Sequence, residues 1–377
     1  MDIAPEFLDA RRLALVEQLD TLVAPTKIGI NTSTWACLWL SDIGKLQKLV
    51  DLAKSAGSEG LNGVVSQLTH PDVTSTIRNW STTSRPRDED NSKKRGSDGM
   101  ASPQPLTQTK IPRLSKAEPD VTTGTGTSSS VSTPPVKQGS ESPAKRARSR
   151  NARKACLERD QETCVITKAG EPLEVAHIYP YSLGQREADP SQFMFWRTLG
   201  WFWTDEKIQA WKSAVLGPQG TETCSNMLCL GSNVHGLWGM ARFSLKPIEI
   251  SEDKKTLKVK FFWLPNFCFS RHVPMTACPK VPQDPRCGPK NTKLWDCDTE
   301  KIIESGEEII LRTDDPEVRP LPSVELLEMQ WILNRVNAIS GAADIPEDEL
   351  DPDRELLFGK IPEEGLLDED SSEDELS

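Results

Sequence analysis

Leu173-Glu-Val-Ala-His-Ile-Tyr-Pro-Tyr-Ser-Leu183 is the stretch from which the fold is read. Its first six residues are rich in apolar and β-branched side chains, and Pro180 stops the run, so residues 173–178 predict a short strand with His177 at its end. A second stretch, Ser225-Asn-Met-Leu-Cys-Leu-Gly-Ser-Asn-Val-His-Gly-Leu-Trp238, places Asn226 ahead of an apolar run and His235 beyond it. It continues into Ala241-Arg-Phe-Ser-Leu-Lys-Pro247, and Arg159-Asp-Gln-Glu-Thr-Cys-Val-Ile-Thr167 lies upstream, where residues 164–167 also read as a strand. The whole chain has only four histidines, so the surroundings of each are informative.

Outward from these stretches, the runs at 243–250 and 257–264 flank the turn-like Ser251-Glu-Asp-Lys-Lys255 and predict a hairpin. A late helix is expected over 323–339, with Leu326, Leu327, Gln330, Trp331 and Leu333. Between 189 and 217 lies an aromatic insertion containing Phe193, Phe195, Trp196, Trp201, Phe202, Trp203 and Trp211. Aromatic side chains stack on unpaired bases in some nucleic-acid binders. Core packing of a small helical subdomain is the reading preferred here, with Thr204 as the N-cap of one helix. Near the start, residues 5–23 and 41–56 carry apolar residues at helical spacing. Two short helices bury little area alone, so they pack on each other, on the central region or on a second copy of the chain. Helices mixed with a few short antiparallel strands give an α+β fold class.

The 377 residues carry a net charge of −11, but the charge is segregated. Residues 81–154 are basic, rich in Ser, Thr and Pro, and poor in large apolar side chains, which predicts a disordered linker. It ends in Lys145, Arg146, Arg148, Arg150, Arg153 and Lys154, a run that reads as a nuclear localisation signal, a phosphate-binding arm or a solubilising stretch. Residues 343–377 are strongly acidic and predict a disordered tail. No apolar run approaches the roughly 20 residues needed to span a bilayer. Met1–Phe7 does not resemble a secretory signal, so a soluble intracellular chain, in the nucleus or the cytoplasm, is expected. Nine cysteines, an odd and unevenly spaced set, suggest reduced thiols rather than a disulfide framework, and their spacing does not match a zinc ribbon.

The ordered set Cys164-x-x-Thr167, Ala-His177-Ile-x-Pro, Asn226-x-Leu-x-Leu and His235-x-x-Trp238 resembles the HNH endonuclease family, in the branch common among fungal proteins. The resemblance covers about residues 159–250. It implies a ββα-metal (HNH) core with a helical insertion, acting on DNA with a divalent cation, Mg²⁺ or similar. By the same resemblance, His177 is the general base, Asn226 the residue that fixes the loop and helps orient the base, and His235 a metal ligand. An imidazole suits the base role because it titrates near neutrality. Many members carry a further ligand just before the base or four residues after the last histidine, and Ala176 and Gly239 stand there. Strand alternation puts Glu174 on the face opposite His177, and Glu222 reaches the site only if the insertion folds back.

Two functions fit: metal-dependent hydrolysis of phosphodiester bonds in DNA, or a catalytically degenerate fold kept for binding nucleic acid or protein in the nucleus. The expected organisation is a helical N-terminal segment (1–80), the linker (81–154), the HNH nuclease-like domain (155–265), an extension packed on it (266–342) and the tail (343–377). A homo-oligomer through the N-terminal helices is a further expectation.

Overall fold

A computed structural model describes residues 4–55, 57–82, 149–184, 190–216 and 220–342. The acidic tail, residues 83–148 of the linker, and Lys145, Arg146 and Arg148 lie outside the described residues. Five helices open the chain after a 3₁₀ turn at Pro5–Leu8: α1 (Ala10–Val23), α2 (Thr32–Leu40), α3 (Ile43–Ser55), α4 (Gly57–Leu68) and α5 (Pro71–Thr82). The central region runs α6 (Arg150–Arg159), β1 (Leu173–His177), α7 (Tyr181–Gly184), α8 (Pro190–Leu199), α9 (Asp205–Val215), β2 (Met227–Gly231) and α10 (Ser232–Gly239). Then follow β3 (Phe243–Ile250), β4 (Thr256–Trp263), β5 (Trp295–Asp296), β6 (Lys301–Ile302), β7 (Glu308–Arg312) and α11 (Val324–Ser340). Helices and small antiparallel sheets make an α+β protein.

The expected hairpin is present: β3 pairs antiparallel with β4, and β7 completes a three-stranded sheet in the order β3-β4-β7. Residues 164–167, expected as a strand, instead form a tight turn. Cys164 N–H donates to Ala169 O, Lys168 N–H donates to Cys164 O, and Lys168 has φ +59°. A closed turn leaves too few free backbone groups for a strand partner; Val165 N–H donates to Cys229 O and Thr167 O accepts from Cys297 N–H, single bonds to two different segments.

α11 holds the fold together. Fourteen of its seventeen residues are buried, so it is a core helix and not an amphipathic surface one. Its polar side chains therefore need partners. Asn334 accepts from Trp80 Nε1 at 2.8 Å and donates to Phe243 O, Asn337 donates to Ile77 O, and Gln330 accepts from Leu245 N–H. Arg335 donates to both carboxylate oxygens of Glu6 at 3.0 Å and stacks on Trp331 at 4.0 Å. α1 packs on α3, and α2 and α5 pack on α11, so the N-terminal helices bury their apolar faces within the chain and nothing supports the expected homo-oligomer. Among the described residues no helix is long and apolar enough to cross a membrane.

The Glu6–Arg335 pair yields a pH prediction. Burial alone would raise the Glu6 pKa, but the adjacent Arg335 guanidinium outweighs it and holds the carboxyl below its ordinary value of 4.5. A depressed carboxylate stabilises the fold above that value, and the contribution fades as pH falls through the lowered one. Glu6→Gln, which leaves a buried cation without its anion, is expected to remove about 2 kcal/mol at pH 7 and less near pH 3. Thermal melts across that range check this; equal destabilisation at both ends would contradict it.

Candidate functional site

β1 and β2 pair antiparallel, with His177 opposite Met227 and Leu173 opposite Gly231, and α10 follows β2 without a break. The chain enters this unit through α6, capped by Ser149, whose Oγ accepts from Ala152 N–H. At the other end of α6, Arg159 and Asp160 make a buried knot. Arg159 donates to the carbonyls of Cys224 (2.9 Å), Met227 (2.7 Å) and Pro320 (2.9 Å), while Asp160 accepts from Cys229 N–H. Burial alone would lower the Arg159 pKa; the hydrogen bond and charge of Asp160 more than offset that and raise it. The pair satisfies the backbone where β2 begins and so fixes that strand against α6. Cys156, Cys224 and Cys229 are buried around it as free thiols, and burial pushes the Cys229 thiol up to about 12. These thiols are inert packing groups at neutral pH.

His177 stands at the end of β1 with its ring mostly covered (13% exposed), and its Nε2 lies 2.7 Å from Glu222 Oε1. The other oxygen of Glu222 accepts from Ser149 N–H at 2.6 Å. The segment after the insertion therefore does fold back, and it brings a carboxylate from forty-five residues away onto the base candidate. Trp238 on α10 donates through Nε1 to His177 O at 3.2 Å, which ties the helix to the strand end. A narrow cleft beside His177 is lined by Trp80, Pro180, Trp238, Gly239, Gln330 and Asn334. Its walls thus come from α5, α10 and α11 as well as the strand end.

Asn226 is buried just before β2 and does not act on the His177 ring directly. Its Oδ1 accepts from Tyr179 N–H at 2.7 Å, and its Nδ2 donates to Tyr179 O at 3.1 Å and Thr221 O at 3.0 Å. It staples the loop after His177 to the loop carrying Glu222, so it positions both members of the pair through their backbones. Asn226→Ala would orphan these buried groups, each at about 1–3 kcal/mol. A loss of about 3 kcal/mol and a melting point about 5–10 °C lower are expected. A change under 1 kcal/mol in denaturant titration would rule out the staple.

His235 sits on α10, and its Nδ1 lies 2.5 Å from Glu174 Oε2. Glu174 is on the face of β1 opposite His177, as alternation requires, and that face is where α10 crosses. A side-chain hydrogen bond from Ser232 is the main influence holding the Glu174 carboxyl below its usual range, with His235 and Arg153 adding to it. Arg150, Arg153 and Lys154 are exposed on α6, which packs on β1 and β2.

With Glu174 on its Nδ1, His235 has only Nε2 left for a divalent cation, and no group of three acidic, His or Cys donors occurs among the described residues. Ala176 and Gly239 supply none. A cation on that one nitrogen would draw the rest of its coordination from substrate phosphate and water. Of the aromatic insertion, Phe195, Trp196, Phe202, Trp203 and Trp211 are buried and only Phe193 is strongly exposed. Trp203 Nε1 donates to Leu40 O and Thr204 N–H to Asp42 Oδ2, so the insertion clamps the N-terminal helices.

Residues 164–246 match the family model described as HNH endonuclease, which places an HNH domain over β1, the insertion, β2, α10 and the start of β3. No curated protein and no solved structure matches the chain.

Proposed function

From that HNH domain as premise, we propose that the chain is an endonuclease that hydrolyses phosphodiester bonds in DNA, with His177 as general base. The observation that carries this reading is that His177, at the end of β1, and His235, on α10, each have one ring nitrogen held by a carboxylate, Glu222 and Glu174 respectively. A histidine whose second nitrogen is fixed in this way presents one lone pair in a defined direction, as a base and a ligand both require.

In this reading the exposed Arg150, Arg153 and Lys154 of α6 bind backbone phosphates and set the register of the duplex. His177 takes a proton from a water as its oxygen attacks phosphorus, and the bond to the 3′ oxygen breaks. Trp238 and the Asn226 staple keep the His177 backbone still during that transfer. His235, with Glu174 on its Nδ1, keeps Nε2 directed outward as the ligand nitrogen. When bound there, a divalent cation supplies charge to polarise the phosphoryl oxygen and to stabilise the leaving 3′ oxygen. Lys145, Arg146 and Arg148, which lie outside the described residues, add positive charge that favours phosphate binding.

The test is relaxation of supercoiled plasmid by the full chain in Mg²⁺, Mn²⁺, Ni²⁺ or Zn²⁺, with a chelator control. Cation-dependent nicking supports the reading. Retained DNA binding with no cleavage in any cation would mean the fold serves as a binding module.

A further inference from the structure

We infer that Glu222 is the positioning residue of the base, and that it couples the base to the basic helix that meets the DNA. The inference rests on the endonuclease reading above. It starts from one carboxylate with two tasks: Oε1 on His177 Nε2 at 2.7 Å, and Oε2 accepting from Ser149 N–H at 2.6 Å. Its side chain is only 10% exposed, so solvent competes weakly for either oxygen.

A carboxylate accepts and does not donate, so the His177 nitrogen facing it carries the proton. Nε2–H donates to Glu222, and Nδ1 is left with the lone pair that takes the proton from water. The anion also stabilises the imidazolium that forms after the transfer. Glu222 itself touches neither water nor phosphate in this scheme.

The second oxygen gives the pair its wider consequence. Ser149 is the N-cap of α6, and the next residues outward on that helix are the exposed Arg150, Arg153 and Lys154. Phosphates that fix α6 therefore fix Ser149, and through it the carboxylate that aims the base. Asn226, holding Thr221 O next to Glu222 and both backbone groups of Tyr179 near His177, keeps the two ends of the link in register. The link runs from the helix proposed to meet DNA to the imidazole of the base through two hydrogen bonds.

The experiment uses the full chain labelled with ¹⁵N at histidine, comparing wild type with Glu222→Ala and Glu222→Gln. His177→Ala identifies the His177 resonances among four histidines. Wild type should show a downfield, slowly exchanging Nε2–H proton for His177, and Glu222→Ala should lose it. On supercoiled plasmid, Glu222→Ala should lower kcat about 10- to 100-fold with KM changed less than threefold. Glu222→Gln still offers one oxygen to Nε2–H but turns an N–H toward Ser149, so its kcat should fall between the two. The inference is overturned if the downfield proton is absent from wild type or survives in Glu222→Ala, or if it disappears while kcat stays at the wild-type value. If the proton behaves as expected while wild type cuts no DNA with any cation, the pair is real but the endonuclease reading fails, and the positioning role falls with it.

Discussion

Replacing His177 with alanine is expected to lower the nicking rate about 10²- to 10⁴-fold, the range a lost general base usually costs. The fold should survive. His177 is partly exposed at a strand end, and the backbone bonds there, from Ile178 N–H to Asn226 O and from Trp238 Nε1 to His177 O, do not need its ring. Glu222 loses one partner but keeps Ser149 N–H, so a melting point only a few degrees lower is expected. DNA affinity of the non-cleaving variant, read by electrophoretic shift with the chelator present, should stay within about threefold of wild type, since the cations proposed to bind phosphate sit on α6. A His177→Ala variant that nicks at the wild-type rate would remove the base from its assigned place.

The second large effect is expected at His235. With its Nδ1 held by Glu174, the imidazole has a single nitrogen left for a cation. His235→Ala should raise the Mn²⁺ concentration for half-maximal nicking by at least about 10-fold, and Glu174→Ala should raise it less. Because cleavage alone would confound affinity with chemistry, the readout is Mn²⁺ binding by electron paramagnetic resonance on the DNA complex of the His177→Ala variant. Binding weakened by His235→Ala and unaffected by a distant control such as Glu249→Gln would support the ligand role. Mn²⁺ affinity unchanged in His235→Ala would place the cation elsewhere.

Much of the candidate site was legible because it depends on residue type at short spacing. His177 closes a five-residue strand before a proline, and Asn226 and His235 bracket the second strand, so the sequence shows them in order. Strand alternation puts Glu174 on the face opposite His177. What alternation alone omits is that α10 crosses that face, bringing His235 to it. Glu222 was reachable only through the folding-back of an insertion, a long-range event that local periodicity does not encode. The same holds for Trp80, Gln330 and Asn334, which come from both ends of the chain to line the cleft beside His177.

The fold shows the same division. The hairpin of β3 and β4 and the helix α11 were readable because strand alternation and helical spacing are local. α2 was missed because all nine of its residues are buried, leaving no polar face to reveal a period. α4 was missed because Gly57, Gly60 and Gly63 depress its helix propensity, which packing against α3 overrides. At 164–167 a β-branched run suggested a strand, but Lys168 adopts a left-handed conformation and closes a turn.

The most direct test of the central claim is chemical rescue of His177→Ala by imidazole in the plasmid-nicking assay with Mn²⁺. Removing the ring opens space beside a cleft that already borders the position, so a free imidazole has access to the place where the proton is taken. If His177 is the base, the slow variant speeds up in proportion to the concentration of neutral imidazole, while the wild type does not respond. A variant that remains unchanged across the imidazole series, beside an active wild type, would contradict the assignment of His177 as the group that accepts the proton.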